Sequence, residues 1–226
     1  MDEPELRVTR DDAVLTLTLN RPTRRNALSV ALRDSISDAI DAAAQDQNLK
    51  VVVITGSGPV FSAGFDLREF EQAAGDTVFA ERLWASSDRY HRTVLTCPLP
   101  TIAVVNGPAI AGGFDLAVLC DLRIASTTAR FAHPERSFGD VVYGPLHDLV
   151  GGAVARELTI GGREVDATEA HALRLVTEVV EPGDLAAAAA VWVGRVCVAS
   201  RDVLIRLKAK ALARARFAPG AQTLEL

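Results

Sequence analysis

The stretch that most constrains this chain is residues 101–123, TIAVVNGPAIAGGFDLAVLCDLR. Thr101 to Val105 is a β-rich apolar run and predicts a buried strand, which Asn106, Gly107 and Pro108 close with turn chemistry. Gly112 and Gly113 let a backbone approach a ligand closely. Phe114 to Cys120 then resumes an apolar pattern, which predicts a short buried helix. The first amides of a helix have no partner within it and carry partial positive charge. Such groups can hold an oxyanion. Asp115 stands beside them on the first turn.

The segments before it follow an alternating α/β order. Residues 5–10 and 13–19 read as two strands joined at Asp11 and Asp12; in the second, Val14, Thr16 and Thr18 alternate with Leu15, Leu17 and Leu19. A basic loop, NRPTRRN, leads to Ser29, which can cap a helix carrying Leu28, Leu32, Ile36 and Ile40 at every fourth position. Val51 to Thr55 is a continuous apolar run, hence a strand buried on both faces. It runs into a second glycine-containing loop, GSGPVFSAGFD. Residues 67–97 read as helical and amphipathic, with Arg68, Glu69 and Glu71 as a solvated face and Trp84 and Tyr90 as packing residues.

Beyond the central stretch, residues 122–126 predict a further strand and residues 131–144 a polar loop. Asp166 and Glu169 have capping-box spacing for a helix to about Leu175, and residues 176–180 suit a strand end. Asp184 can cap an alanine-rich helix to about Val198, and a basic helix follows to about Phe217. Helices therefore dominate late, on an α/β core.

Hydrophobic residues make up 49% of the 226-residue chain, enough for a sizeable core, and the net charge of −5 argues against nucleic acid and acidic membrane surfaces as partners. The longest apolar region, residues 102–120, is broken by Asn106, Pro108 and Asp115 and is not a membrane span. Cys97, Cys120 and Cys197 lack metal-like spacing and read as reduced core thiols of a cytoplasmic protein; the acidic N-terminus has no apolar signal core. Neither glycine loop fits a phosphate-cradling motif, since no Gly-Lys-Ser/Thr and no GxGxxG is present there.

Five segments together resemble the crotonase superfamily, the enoyl-CoA hydratase/isomerase family: NRPTRRNALS, VVVITGSGPVFSAGFDL, PTIAVVNGPAIAGGFDLAVLCDLRIAS, FAHPE, and residues 155–180. The resemblance implies an α/β spiral of ββα repeats over residues 1–185 and a shortened helical trimerisation region over 186–226. It implies an acyl-CoA thioester as substrate, no resident cofactor and no metal, and a homo-trimer or dimer of trimers. It implies that the Phe65 and Gly112 amides form an oxyanion hole for a thioester enolate. It places the family's two acids on Asp115 and Glu135, with the 20-residue gap (135 − 115) of two-glutamate hydratases. Two carboxylates on one small site push their pKa values apart, which suits one as base and the other as acid. Ala27, Ala63, Asp66, Leu67 and Gly113 match positions near the CoA or acyl group; Arg24 and Arg25 can meet phosphates, or are a solvated basic loop.

The first acid is one methylene shorter than glutamate, which leaves hydration and double-bond isomerisation as the leading reactions. The loop after Glu135 lacks the family's glycine cluster and carries Tyr143-Gly-Pro-Leu-His147, so acyl specificity does not transfer. Arg174 replaces a usual helix-ending glycine, and the family's last helices are not matched before Leu226. Decarboxylation or thioester hydrolysis, with Tyr143, Asp140 or His133 in the pocket, is the alternative chemistry; a CoA-ester-binding paralogue without turnover is the alternative of another class. His133 itself reads as a wall or hydrogen-bonding residue.

Overall fold

A computed structural model describes residues 3–137, 139–215 and 222. The chain begins with an antiparallel hairpin, β1 (Leu6–Asp11) and β2 (Val14–Leu19). After α1 (Val30–Gln45) and β3 (Val51–Gly56) come two helices, α2 (Leu67–Gly75) and α3 (Thr77–Thr96). Next are β4 (Thr101–Val105), β5 (Ala109–Ile110), α4 (Gly112–Leu119), β6 (Leu122–Ser126) and β7 (Arg130–Ala132). The remainder is α5 (Gly144–Arg156), β8 (Val165–Asp166), α6 (Ala167–Ala172), β9 (Glu178–Val180), α7 (Leu185–Cys197) and α8 (Arg201–Ala215).

Six strands form one sheet in the order β1-β2-β3-β4-β6-β9, parallel from β2 onward, and β5-β7-β8 form a second, small sheet. The central parallel strands β3 and β4 are nearly continuous apolar runs because both their faces are covered. Val52, Ile54, Ala103, Val105 and Ala125 join the main core with Leu32 and Ile36 of α1 and Tyr90 and Val94 of α3. Val51, Val53, Ile102, Val104 and Ile124 point the other way, onto Leu185 and Ala189 of α7. The small sheet crosses to the ends of these strands: β5 pairs with β7 and, through Ser62, with the loop after β3.

Local chemistry sets the helix starts. The Ser29 hydroxyl accepts the Leu32 amide at 3.1 Å, Asp66 caps α2, and the Asp166 carboxylate accepts the Glu169 amide at 2.9 Å. Three expectations are corrected. The helical run from residue 67 is broken at Asp76, whose carboxylate accepts the Phe79 amide at 3.0 Å and starts α3. Glu69 is no solvated charge: its carboxylate accepts the Val30 amide at 2.9 Å and braces the start of α1. Burial, opposed by that amide and by Arg33, leaves the Glu69 carboxyl above its usual range. Trp84 is 42% exposed and meets Phe70 edge-on rather than entering the core, unlike the fully buried Tyr90.

At the other end of the chain, Asp184 precedes α7 without a capping side-chain bond. Arg174 takes the left-handed backbone, φ 64°, that its position after α6 demands. The expected end of the last helix near Phe217 lies outside the described residues. No helix among the described residues is long and apolar enough to cross a membrane.

Candidate active site

Three loops are laid side by side over the ends of β2, β3 and β4. Asn26, fully buried at φ 53°, accepts the Arg21 amide and donates to the Ser57 and Val60 carbonyls at 2.9 and 2.8 Å. Asn106 mirrors it from the third loop, accepting the Gly56 amide at 3.1 Å and donating to the Gly58 carbonyl at 2.8 Å. Ser62 ties all three: its hydroxyl donates to Asn26 and accepts from the Gly64 amide, and its carbonyl accepts the Ile110 amide at 2.9 Å. These side chains satisfy turn backbone that would otherwise be buried without partners.

This stitching brings the two predicted amide donors to neighbouring loops. Gly64, at φ 87°, gives its carbonyl to the Leu28 amide, and a side chain there would strike Ala111 and the Gly112 nitrogen, 2.7 and 2.9 Å away. Gly113 likewise has no room for a side chain beneath the Ser62 carbonyl. Ala111 turns the chain into α4 at φ 54°, ψ −132°, a conformation glycine adopts far more readily. Among the described residues, neither the Phe65 nor the Gly112 amide donates a hydrogen bond to the protein.

The acids also meet. Asp115 is on the first turn of α4 and Glu135 on the helical turn after β7, with His133 between them. His133 Nδ1 lies 2.9 Å from Glu135 Oε1 and 3.8 Å from Asp115 Oδ1. Its ring, 1% exposed, stacks on Phe114 at 4.5 Å. Asp115 Oδ1, His133 Nε2 and Glu135 Oε2 are all buried and unpartnered among the described residues. Burial pushes the Asp115 carboxyl up to about 7; the charge of Glu135 adds to the rise, while His133 and the Val142 amide act against it. Burial lowers the His133 imidazole, but its hydrogen bond to Glu135 and both carboxylate charges outweigh that and leave it above its ordinary value. The three groups lie within 4.8 Å of one another, so they can share a proton, orient a water, or hold a cation.

Glu135 pairs with His133 rather than with its sequence neighbour Arg136, which donates to the Ile160 carbonyl. The sequence reads His133 as a wall or hydrogen-bonding residue, and it does bond to Glu135; that it reaches both acids depends on β7 lying beside α4. Ala27, Ala63 and Asp66 meet along one rim: Arg21 donates to the Ala27 carbonyl and pairs with Asp66 at 3.0 Å, while the Ala63 amide donates to Arg25. Arg24, Arg25 and Leu67 are exposed on that side. Tyr143 is half-buried and follows Val142, the residue whose amide reaches Asp115. Asp140 is exposed, and His147 and Asp148 form an exposed pair.

An α/β core with two glycine loops laid beside a pair of acids agrees with the family whose motifs the sequence carries. The sequence pattern of the enoyl-CoA hydratase/isomerase family matches residues 9–226, and the chain belongs to that family. Over 189 residues it is 38% identical to the 2,3-dehydroadipyl-CoA hydratase of Escherichia coli K12, covering 80% of this chain and 71% of that protein. An enoyl-CoA hydratase/isomerase from Xanthobacter autotrophicus Py2 superposes with a TM-score of 0.85 at 33% identity, over 93% of this chain and 79% of that one. A Thermobifida fusca YX protein solved in complex with CoA gives 0.84 at 33% identity, over 95% and 87%. The expected fold class is therefore the observed one.

Proposed function

We propose that this enzyme binds a 2-enoyl-CoA thioester and adds water across its double bond, using Asp115 and Glu135 for proton transfer. The observation that carries the reading is the cluster in which Asp115, His133 and Glu135 each have a polar atom that is buried and, among the described residues, unpartnered. Buried polar atoms without partners are rare in folded proteins and mark places where a ligand or water completes the bonding. The T. fusca protein bound to CoA supports a CoA ester as the ligand. Ala27, Ala63, Asp66 and Leu67 then flank the CoA, Arg24 and Arg25 meet its phosphates, and Tyr143 lines the acyl end near Asp115.

In this reading the thioester oxygen lies between the Phe65 and Gly112 amides, with Gly113 behind them at the helix start. Glu135 takes a proton from a water, whose oxygen bonds to Cβ. The π electrons move to the thioester oxygen, and the two amides stabilise that enolate, a donor of this kind being worth about 3 kcal/mol in the transition state. Asp115, held protonated by burial, gives its proton to Cα. His133, in reach of both acids, returns the proton from Glu135 to Asp115. The same groups without the water would move a double bond, with Glu135 taking a proton from carbon; the shorter first acid favours this as the second reading.

Incubation with a panel of 2-enoyl-CoAs tests it. Loss of enoyl-thioester absorbance with a mass gain of one water is the expected result, and an isomer of unchanged mass supports the second reading. Absence of both binding and turnover overturns both. Because Asp115 must carry its proton, kcat is expected to fall as pH rises through about 7. Residues 186–226 are read as a subunit-contact region; exposed Val191 and Leu207 on its helices and Val198 just after α7 support this, and sedimentation would test it.

A further inference from the structure

We propose that Arg33 is a positioning residue for the oxyanion-binding amides, clamping the Phe65 ring against Gly112; this rests on the reading of those amides given above. Arg33 is fully buried in α1, on a helix whose neighbouring core positions are Leu32 and Ile36. A cation there needs a reason, because burying a charge is expensive unless its bonds are satisfied. Its guanidinium is held by oxygens: Nη1 donates to the Leu28 carbonyl at 2.8 Å, Nη2 to the Leu83 carbonyl at 3.2 Å, and Nε to the Ser86 hydroxyl at 3.4 Å. Among the described residues no carboxylate lies within ion-pair distance of it. Its flat face lies 4.3 Å from the centroid of the Phe65 ring.

The other contacts of that ring give the clamp its purpose. A methyl group placed on Gly112 would meet Phe65 Cδ1 at 2.9 Å, so the ring abuts the second amide-bearing residue. Phe70 and His91 close the ring in at 6.2 and 5.9 Å between centroids. Arg33 also holds the Leu28 carbonyl, and the Leu28 amide donates to Gly64, the residue before Phe65. One planar cation therefore fixes Phe65 from two sides, through its ring and through the strand pairing of Leu28. Lysine has the charge but neither the planar face nor the fork.

The test uses para-dimethylaminocinnamoyl-CoA, whose absorption moves to the red as its thioester carbonyl is polarised. Wild type is expected to shift it. Arg33→Met and Arg33→Lys are each expected to bind the probe with a smaller shift and to lose about tenfold in kcat, with KM within about threefold, as for a partly displaced oxyanion donor. Phe65→Leu, which keeps the amide and removes the ring, is expected to lose a similar factor, and Arg33→Lys added to it to lose clearly less than it does in wild type, since only the route through Leu28 remains. A full wild-type shift and kcat in both Arg33 variants overturns the proposal alone, as does an undiminished Arg33→Lys effect in the Phe65→Leu background. If Arg33→Met does not fold, Arg33→Lys and the double variant carry the test. A wild-type protein that binds the probe without shifting it overturns the amide assignment itself, and this inference with it.

Discussion

The two ends of α4 bury charged groups in opposite ways. At its C-terminal end the Arg123 guanidinium, 3% exposed, donates to the carbonyls of Ala117, Cys120, Asp121 and Leu175. Beside it Lys208 of α8 donates to the Leu99 carbonyl and pairs with Asp121 at 2.7 Å, and Asp121 in turn accepts from Thr101. At the N-terminal end Asp115, His133 and Glu135 each keep an atom that is buried and, among the described residues, unpartnered, next to a helix amide that donates to none of those residues. Burial is similar, but satisfaction is not. A buried polar group with all its bonds made holds the fold; one left open is at a disadvantage until something else arrives.

The contrast breaks most sharply if the open end can be changed without loss of activity. Asp115→Asn and Glu135→Gln are each expected to lower kcat by about 10²–10⁴, read by steady-state assay with a near-native circular dichroism spectrum. Wild-type rates in both would reduce the cluster to a structural one. At the closed end Arg123→Met removes the donors of four carbonyls, and urea unfolding is expected to show a loss of about 4 kcal/mol. The kcat of the molecules that remain folded is expected to stay near wild type.

Smaller effects sharpen the same contrast. The Asp115 carboxyl is raised from 3.8 to about 7 by burial, so folding favours its protonated form. Stability from that proton is complete below about pH 4 and is lost as pH rises through 7. His133, also raised, works in the same direction near neutrality. Asp115→Asn is therefore expected to be more stable than wild type above pH 7, by about 2–4 kcal/mol, with the gap closing toward pH 4. Denaturation midpoints across that range would measure it; a constant gap would contradict the assignment. Lys208→Met is expected to cost about 2 kcal/mol, less than a fully buried pair because Asp121 is one-third exposed. Faster amide exchange in α8 than in α4 would accompany it.

Much of this architecture was legible one segment at a time. Val51–Thr55 and Thr101–Val105 stood out because a strand covered on both faces needs apolar residues throughout. Ser29 and Asp166 announced helix starts because a cap is a bond between neighbours. The resemblance supplied Asp115 and Glu135, and the chain folds so that both reach one buried site. What could not be read was anything made by distant residues meeting. Glu69 braces Val30 from 39 positions away, and Arg33 donates to the Leu83 carbonyl, 50 positions away. Asp76 was the exception among local signals: an acid before Thr77 is a cap, but the apolar periodicity running across it masked the break.

Ala111 has a consequence for temperature and for mutation alike. Its backbone, φ 54° and ψ −132°, is an unfavourable one for a residue with a β-carbon, and the Ala132 carbonyl and the neighbouring glycine loop hold it there. The turn that aims the Gly112 amide is thus a loaded spring kept compressed by the small sheet. Loosening β5 from β7 would let the turn relax before the main sheet melts. On warming, this site is expected to lose its shape, and its activity, earlier than the protein loses its fold.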